Sequence, residues 1–194
     1  MKWFDWRNQS QRQGVLRETF LKEQMVMLLP RLRRFARSLT GDIEFADDLV
    51  QMACERSLSR LGQYRDGTRF DSWLYQVVYT QWIDHLRRRK RRSEQAKKLK
   101  HLQKLSGEDH ASPRQLHSFM DVKEALQHLP DKNRAAIVLV AVEGHTYAEA
   151  ATALGVPAGT VASRVARARE MLAIQFQENN LQNLKVHSLG KGRK

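Results

Sequence analysis

Several features are scarce in this chain of 194 residues, and each scarcity excludes a class of protein. One cysteine, Cys54, permits no internal disulfide and no thiolate cluster for a metal, so a reducing cytoplasmic compartment is expected. It falls on an apolar stripe, where a packed thiol is the expectation. Four prolines and ten glycines leave little room for low-complexity sequence. The longest apolar run, residues 135–142, is far short of the roughly 20 residues that span a bilayer. The first ten residues set charges among Trp3, Phe4 and Trp6 and lack the apolar core of an export signal. A protein neither exported nor membrane-spanning is expected. Trp3, Phe4 and Trp6 read as a docking patch or as cover for a core.

Catalytic signals are equally thin. The seven histidines are scattered with no His-Glu-x-x-His spacing. Asp47 and Asp48 are adjacent and on a helix would point about 100° apart. Gly155 and Gly159 are not followed by the Gly-Lys-Ser/Thr of a phosphate loop. No enzyme activity, cofactor or metal is expected.

Positive charge is abundant. Thirty-four lysines and arginines against 21 acids give a formal net charge of +13, which favours a polyanionic partner. Most of the surplus lies in residues 85–105, where Arg87 to Arg92 and four further lysines face one acid, Glu94. Residues 41–55 are the reverse: Asp42, Glu44, Asp47, Asp48 and Glu55 stand with no lysine or arginine. A basic protein thus carries one locally acidic stretch.

The apolar periodicity is helical throughout, and no strand pattern is present. Leu21, Met25, Leu28, Leu32, Phe35 and Leu39 define one or two helices, with Pro30 as a kink or a new first turn. Asp42 or Glu44 opens a second helix that ends near Gly62, its first-turn acids suiting the helix dipole. After the turn signal Asp66-Gly67, a third helix runs from Phe70 through Ile83 into the basic tract. Residues 93–118 have linker character. A helix stopped by Pro130 follows, then one for which Asp131 can act as cap, then Tyr147 to Leu154 and Ala158 to about Phe176. The fold class is all-α, with two small helical domains: an N-terminal extension at 1–20, a first domain at 21–92, a flexible basic linker at 93–118, a second domain at 119–176 and a C-terminal extension at 177–194.

Residues 146–169 have the build of a helix-turn-helix. Ala150 and Ala151 allow a close helix crossing, Gly155 permits the turn, and Val161 with Val165 anchor the second helix while Ser163, Arg164 and Arg167 face outward. Arginine can fork to guanine or bind phosphate, and serine can meet either. The alternative is a plain helical hairpin with a solvated basic face. On the third helix, Trp73 lies on the apolar stripe and reads as core, whereas Tyr75 and Tyr79, four apart, read as an exposed pair able to stack on unpaired bases.

The motifs Ala46-Asp47-Asp48-Leu49-Val50-Gln51, Phe70-Asp71-Ser72-Trp73-Leu74-Tyr75 with Asp84-His85-Leu86-Arg87-Arg88, Leu129-Pro130, Tyr147-Ala-Glu-Ala-Ala and Gly159-Thr160-Val161-Ala162-Ser163-Arg164 carry a resemblance. Across residues 28–92 and 121–172 the chain resembles the extracytoplasmic-function (ECF) sigma factors of the bacterial sigma-70 family. The resemblance implies a region 2 bundle and a region 4 helix-turn-helix that together bind core RNA polymerase, recognise promoter elements and help open the promoter. Asp47, Asp48 and Gln51 would meet the beta-prime clamp, and region 4 the beta flap. Asp66, Gly67, Thr68 and Arg69 would receive a flipped base, with Tyr75, Tyr79, Thr80, Arg87 and Arg88 also at the minus-10 DNA. Thr160, Ser163, Arg164 and Arg167 would contact minus-35 DNA. An anti-sigma partner is expected of the family. Thr80 stands where many members carry asparagine, and Ala162 where many carry lysine or arginine. Two other readings compete: a helix-turn-helix regulator acting without polymerase, which needs no acidic stretch, and a sigma mimic that sequesters an anti-sigma factor, which needs no basic tract.

Overall fold

The computed structural model describes the backbone of residues 5–64, 69–102 and 122–190, and the side chains of residues 14–64, 69–96 and 122–177. Helix α1 (Asp5–Thr40) is one element with Pro30 inside it. Pro30 is exposed, where the carbonyl left without its N–H partner is within reach of water, so the helix continues. Its buried face is Leu21, Met25, Leu32, Phe35, Ala36 and Leu39, the three-and-four spacing that places side chains on one stripe.

Gly41 turns the chain at φ +73 and also allows a close approach: a Cβ there would lie 2.8 Å from Gln127 Oε1. Asp42, in an extended conformation, then caps α2 (Ile43–Leu58) by accepting from the Phe45 N–H at 2.8 Å. A 3-10 turn (Leu61–Gln63) follows. Helix α3 (Phe70–Leu102) does not stop where linker character was expected to begin. Lysine, arginine, glutamine, alanine and leucine favour helix, and neither glycine nor proline interrupts the run before Leu102.

The second half is built from α4 (Val122–Gln127), α5 (Asp131–Ile137), a π-helical turn (Val138–Val142), α6 (Tyr147–Leu154) and α7 (Ala158–Gly190). Pro130, and not Asp131, occupies the cap position of α5; Asp131 instead pairs with Arg134. Helix α7 continues beyond the end expected near Phe176. No strand occurs among the described residues.

The two halves are packed on one another. Helix α6 lies against α3, and α4 and α5 against α1. Phe35, Leu39, Leu49, Leu74 and Val78 of the first half share one contiguous core with Leu139, Leu154, Val161 and Val165 of the second. Each such side chain contributes about 1.5–3 kcal/mol on burial.

Candidate nucleic-acid and polymerase interfaces

The helix-turn-helix forms as the residue types require. Thr146 and Glu149 close a capping box at the start of α6: the Thr146 N–H donates to Glu149 Oε2 at 2.8 Å, and the Glu149 N–H to Thr146 Oγ1 at 3.3 Å. Gly155 ends the helix in the left-handed region, φ +63. Ala150, Ala153, Leu154, Val161, Val165 and Ala168 are buried between the two helices and the rest of the core. This leaves Ser163 and Arg167 exposed and Thr160 half-buried. The Ser163 hydroxyl donates to the Thr160 carbonyl at 3.0 Å.

Arg164 departs from the outward position expected of it. It is half-buried, and its Nη1 is buried with no hydrogen-bond partner. Burial raises the pKa of the Tyr79 hydroxyl on α3, and the nearby Arg164 guanidinium partly offsets that rise.

Tyr75 and Tyr79 require a correction. They are not an exposed pair: Tyr75 is fully buried and Tyr79 nearly so. The face of α3 that carries them is covered by the second half of the chain. Tyr75 packs edge-on against Phe35, with ring centroids 5.2 Å apart, and against His145 at 4.8 Å. Trp73 is half-buried against Tyr64 and Phe70, in keeping with a core role.

Thr80, Arg87 and Arg88 remain exposed along α3. Thr80 donates its hydroxyl to the Gln76 carbonyl at 2.8 Å, and Arg87 lies 3.4 Å from Asp84. At the head of the basic tract, His85 stacks on Trp82 with ring planes 8° apart and touches Phe45 of α2. Burial and the charges of Arg88, Arg89 and Arg92 push the His85 imidazole below its usual range. Asp66, Gly67 and Thr68 lie outside the described residues. Arg69 is held between halves, forked onto Asp71 at 3.1 and 2.6 Å and reaching Glu149 of α6 at 2.5 Å. These bonds raise its pKa.

The acidic stretch is exposed along α2. Ala46, Leu49, Val50 and Ala53 bury one face of α2, which turns Asp48 and Gln51 to solvent. Gln51 donates to Glu55 at 3.1 Å. Asp47 is half-exposed and lies 3.5 and 3.6 Å from Arg33 and Arg37. Cys54 is half-buried, and burial raises its thiol pKa.

Between the halves sits a polar cluster that sequence reasoning missed. The carboxylate of Glu143, with a fully buried side chain, accepts from Arg31 at 3.0 Å, from Arg34 at 2.7 and 2.9 Å, and from the Tyr75 hydroxyl at 2.8 Å. Arg31 also donates to the Glu143 carbonyl at 2.6 Å. Burial alone would raise the carboxyl pKa, but the bonds from Arg34, Tyr75 and Arg31 hold it below the usual range. The π turn places this side chain: the Glu143 N–H donates to the Val138 carbonyl, and the His145 N–H to that of Leu139. The wide turn brings both residues inward. Buried His145 lies 4.0 Å from Asp71, and burial lowers its pKa. Arg134 links the halves as well, donating to the carbonyls of Leu39 and Gln127 at 2.9 and 3.1 Å. A lone acid directly after the apolar run 135–142 was the one available signal for Glu143; its partners lie 109 and 112 positions away on α1.

A helical fold with a helix-turn-helix, a basic helix and an exposed acidic helix is the build of a DNA-binding protein. Comparison with known proteins gives the family. Residues 25–92 match the model of sigma-70 region 2, and residues 119–172 that of sigma-70 region 4. The chain is 33% identical over 156 residues to the ECF RNA polymerase sigma factor EcfG of Rhodopseudomonas palustris, covering 79% of this chain and 83% of the relative. It is 36% identical over 143 residues to the ECF sigma factor SigM of Mycobacterium tuberculosis, covering 74% and 70%. Among solved structures, the sigma factor RpoE of Bartonella quintana, crystallised with the anti-sigma factor NepR, is similar at TM-score 0.65 and 28% identity, over 80% of this chain and 96% of that one. The chain therefore belongs to the sigma-70 family, as a member of its ECF group. No helix among the described residues is long and apolar enough to cross a membrane.

Proposed function

We propose that this chain acts as a dissociable, non-catalytic subunit of bacterial RNA polymerase in the cytoplasm, directing core enzyme to promoters and helping to open them. The observation that carries this reading is the order of the two matched regions along one chain, region 2 before region 4. The open acidic face of α2 supports a separate protein partner: negative charge there repels DNA but suits a basic clamp surface. Asp47, Asp48 and Gln51 are assigned to that contact. Arg69, Thr80, Arg87 and Arg88, with Asp66, Gly67 and Thr68, are assigned to minus-10 DNA, and Thr160, Ser163, Arg164 and Arg167 to minus-35 DNA. Tyr75 and Tyr79 would reach DNA only if the two halves part. The domain limits 21–92 and 119–176 are kept as part of the proposal.

The solved complex of RpoE with NepR supports an anti-sigma protein as a further partner. Adding the purified chain to sigma-free core polymerase with a genomic promoter library, and mapping transcript starts, tests the proposal. A set of starts sharing minus-35 and minus-10 elements is expected. Starts no different from core enzyme alone would remove the sigma reading.

A further inference from the structure

Part of each face assigned to DNA is covered. Tyr75 and Tyr79 of α3 are covered, Arg164 of α7 is half-buried beside Tyr79, and Arg69 is engaged by Glu149. The residues responsible for this covering include Glu143, a buried carboxylate that accepts four hydrogen bonds. Glu143 brings the end of the π turn onto α1 and α3 at once, and each of its carboxylate oxygens has an arginine partner from α1. The Tyr75 hydroxyl, assigned to DNA by resemblance, is spent on Glu143 Oε2.

The chemistry of this contact suits a reversible closure. A buried carboxylate stripped of its partners is strongly unfavourable in an apolar site, but once exposed it is fully solvated. Arg31 and Arg34 are already 34% and 53% exposed and need little rearrangement to return to water. The contact is therefore strong when the halves meet with all three partners aligned, and it leaves no unsatisfied charge when they part.

We propose that Glu143, gripped by Arg31, Arg34 and Tyr75, is an intramolecular latch that closes region 4 over region 2 and withholds Tyr75, Tyr79 and Arg164 from DNA until the chain is opened. The assignment of those three residues to DNA rests on the function proposed above; the latch itself rests on the geometry. A latched chain has a reduced apparent affinity for DNA by the fraction of molecules that are open, so releasing the latch raises affinity with no new contact.

The test uses the full chain with spin labels at Lys22→Cys and Glu170→Cys, both exposed sites, in a Cys54→Ala background. Pulsed electron resonance then reads the distance between the two halves. The parent is expected to give one short, narrow population. Glu143→Gln, which keeps the shape and loses the charge, and separately Arg31→Gln with Arg34→Gln, should each give a longer and broader population. Both should bind a pool of random-sequence duplexes about tenfold more tightly. Circular dichroism reports folding; if Glu143→Gln loses helical signal, the arginine pair, on the exposed side of the contact, carries the test. An unchanged distance in the arginine pair overturns the latch, and so does an open population without tighter DNA binding. Opened variants that bind DNA more tightly, yet direct no promoter starts with core polymerase, uphold the latch and overturn the sigma reading.

Discussion

The acidic face of α2 and the DNA-assigned faces of α3 and α7 are treated oppositely by the same fold. Asp48 and Gln51 are exposed among the described residues, whereas Tyr75 and Tyr79 are buried and Arg164 is half-buried. The difference lies in the neighbours. Among the described elements, helix α2 packs chiefly on α1 and α3, while α3 receives α6 across its aromatic face. If the assignments proposed above hold, the α2 face is open while part of the DNA-assigned surface, Tyr75, Tyr79 and Arg164, is covered. The proposed latch then implies an order of encounter, polymerase first and promoter second.

The comparison can be broken from either side. The largest effect is expected from Glu143→Ala, which leaves Arg31, Arg34 and Tyr75 facing a vacated site. The two arginines can turn to water, but the charge-assisted bonds are lost and the buried Tyr75 hydroxyl is left unsatisfied, together costing about 3–5 kcal/mol. Denaturant unfolding should show that loss as an early separation of the halves, with the α1–α2–α3 packing melting later.

On the open face, Asp47→Lys with Asp48→Lys should abolish association with core polymerase, since like charges at an interface cost several kcal/mol. Asp47 also pairs with Arg33 and Arg37, so Asp48→Lys alone, in a pull-down with unchanged helical signal, isolates the contact with the partner. An Asn pair at the same positions controls for the helix start. Retained binding by the Lys pair would remove the clamp assignment and favour a regulator that acts without polymerase.

On the covered face, Arg164→Ala should weaken promoter use by about 1–3 kcal/mol and leave core binding intact. Equal loss of both would make the residue structural, in line with its half-buried position.

The smallest effect is on pH. Burial lowers the His145 pKa, so the closed form holds it neutral. Stability from this group is present above the ordinary imidazole value of about 6.5 and declines as pH falls below it. Asp71, Arg69, Arg31, Glu149 and Tyr75 surround the ring. Burial would raise Asp71 and Glu143, but their bonds hold both pKa values below the usual carboxylate range, so their contribution is lost only at still lower pH. The closed population should therefore fall as pH drops below about 6.5, and His145→Gln should flatten that part of the profile.

Local rules made much of this legible beforehand. Asp42 as a cap, the left-handed Gly155, the bounds of α6 and the buried stripe of α2 follow from residue types at short spacing. The helical run through residues 93–102 is also within reach, since its residues favour helix, although its charge run alone has linker character. The burial of Tyr75 and Tyr79 was not legible, because periodicity places residues on a shared face but does not say which second element covers it. The Glu143 cluster was hidden for the same reason. Its arginine partners are more than a hundred positions away in sequence and Tyr75 is 68 away, and each arginine taken alone reads as an ordinary surface charge.

One measurement addresses the order of encounter directly: the doubly labelled parent chain titrated with sigma-free core polymerase in the absence of DNA. The account predicts that the short distance between Lys22→Cys and Glu170→Cys is replaced by a long one as core polymerase saturates the chain. A saturated complex that keeps the short distance would contradict it.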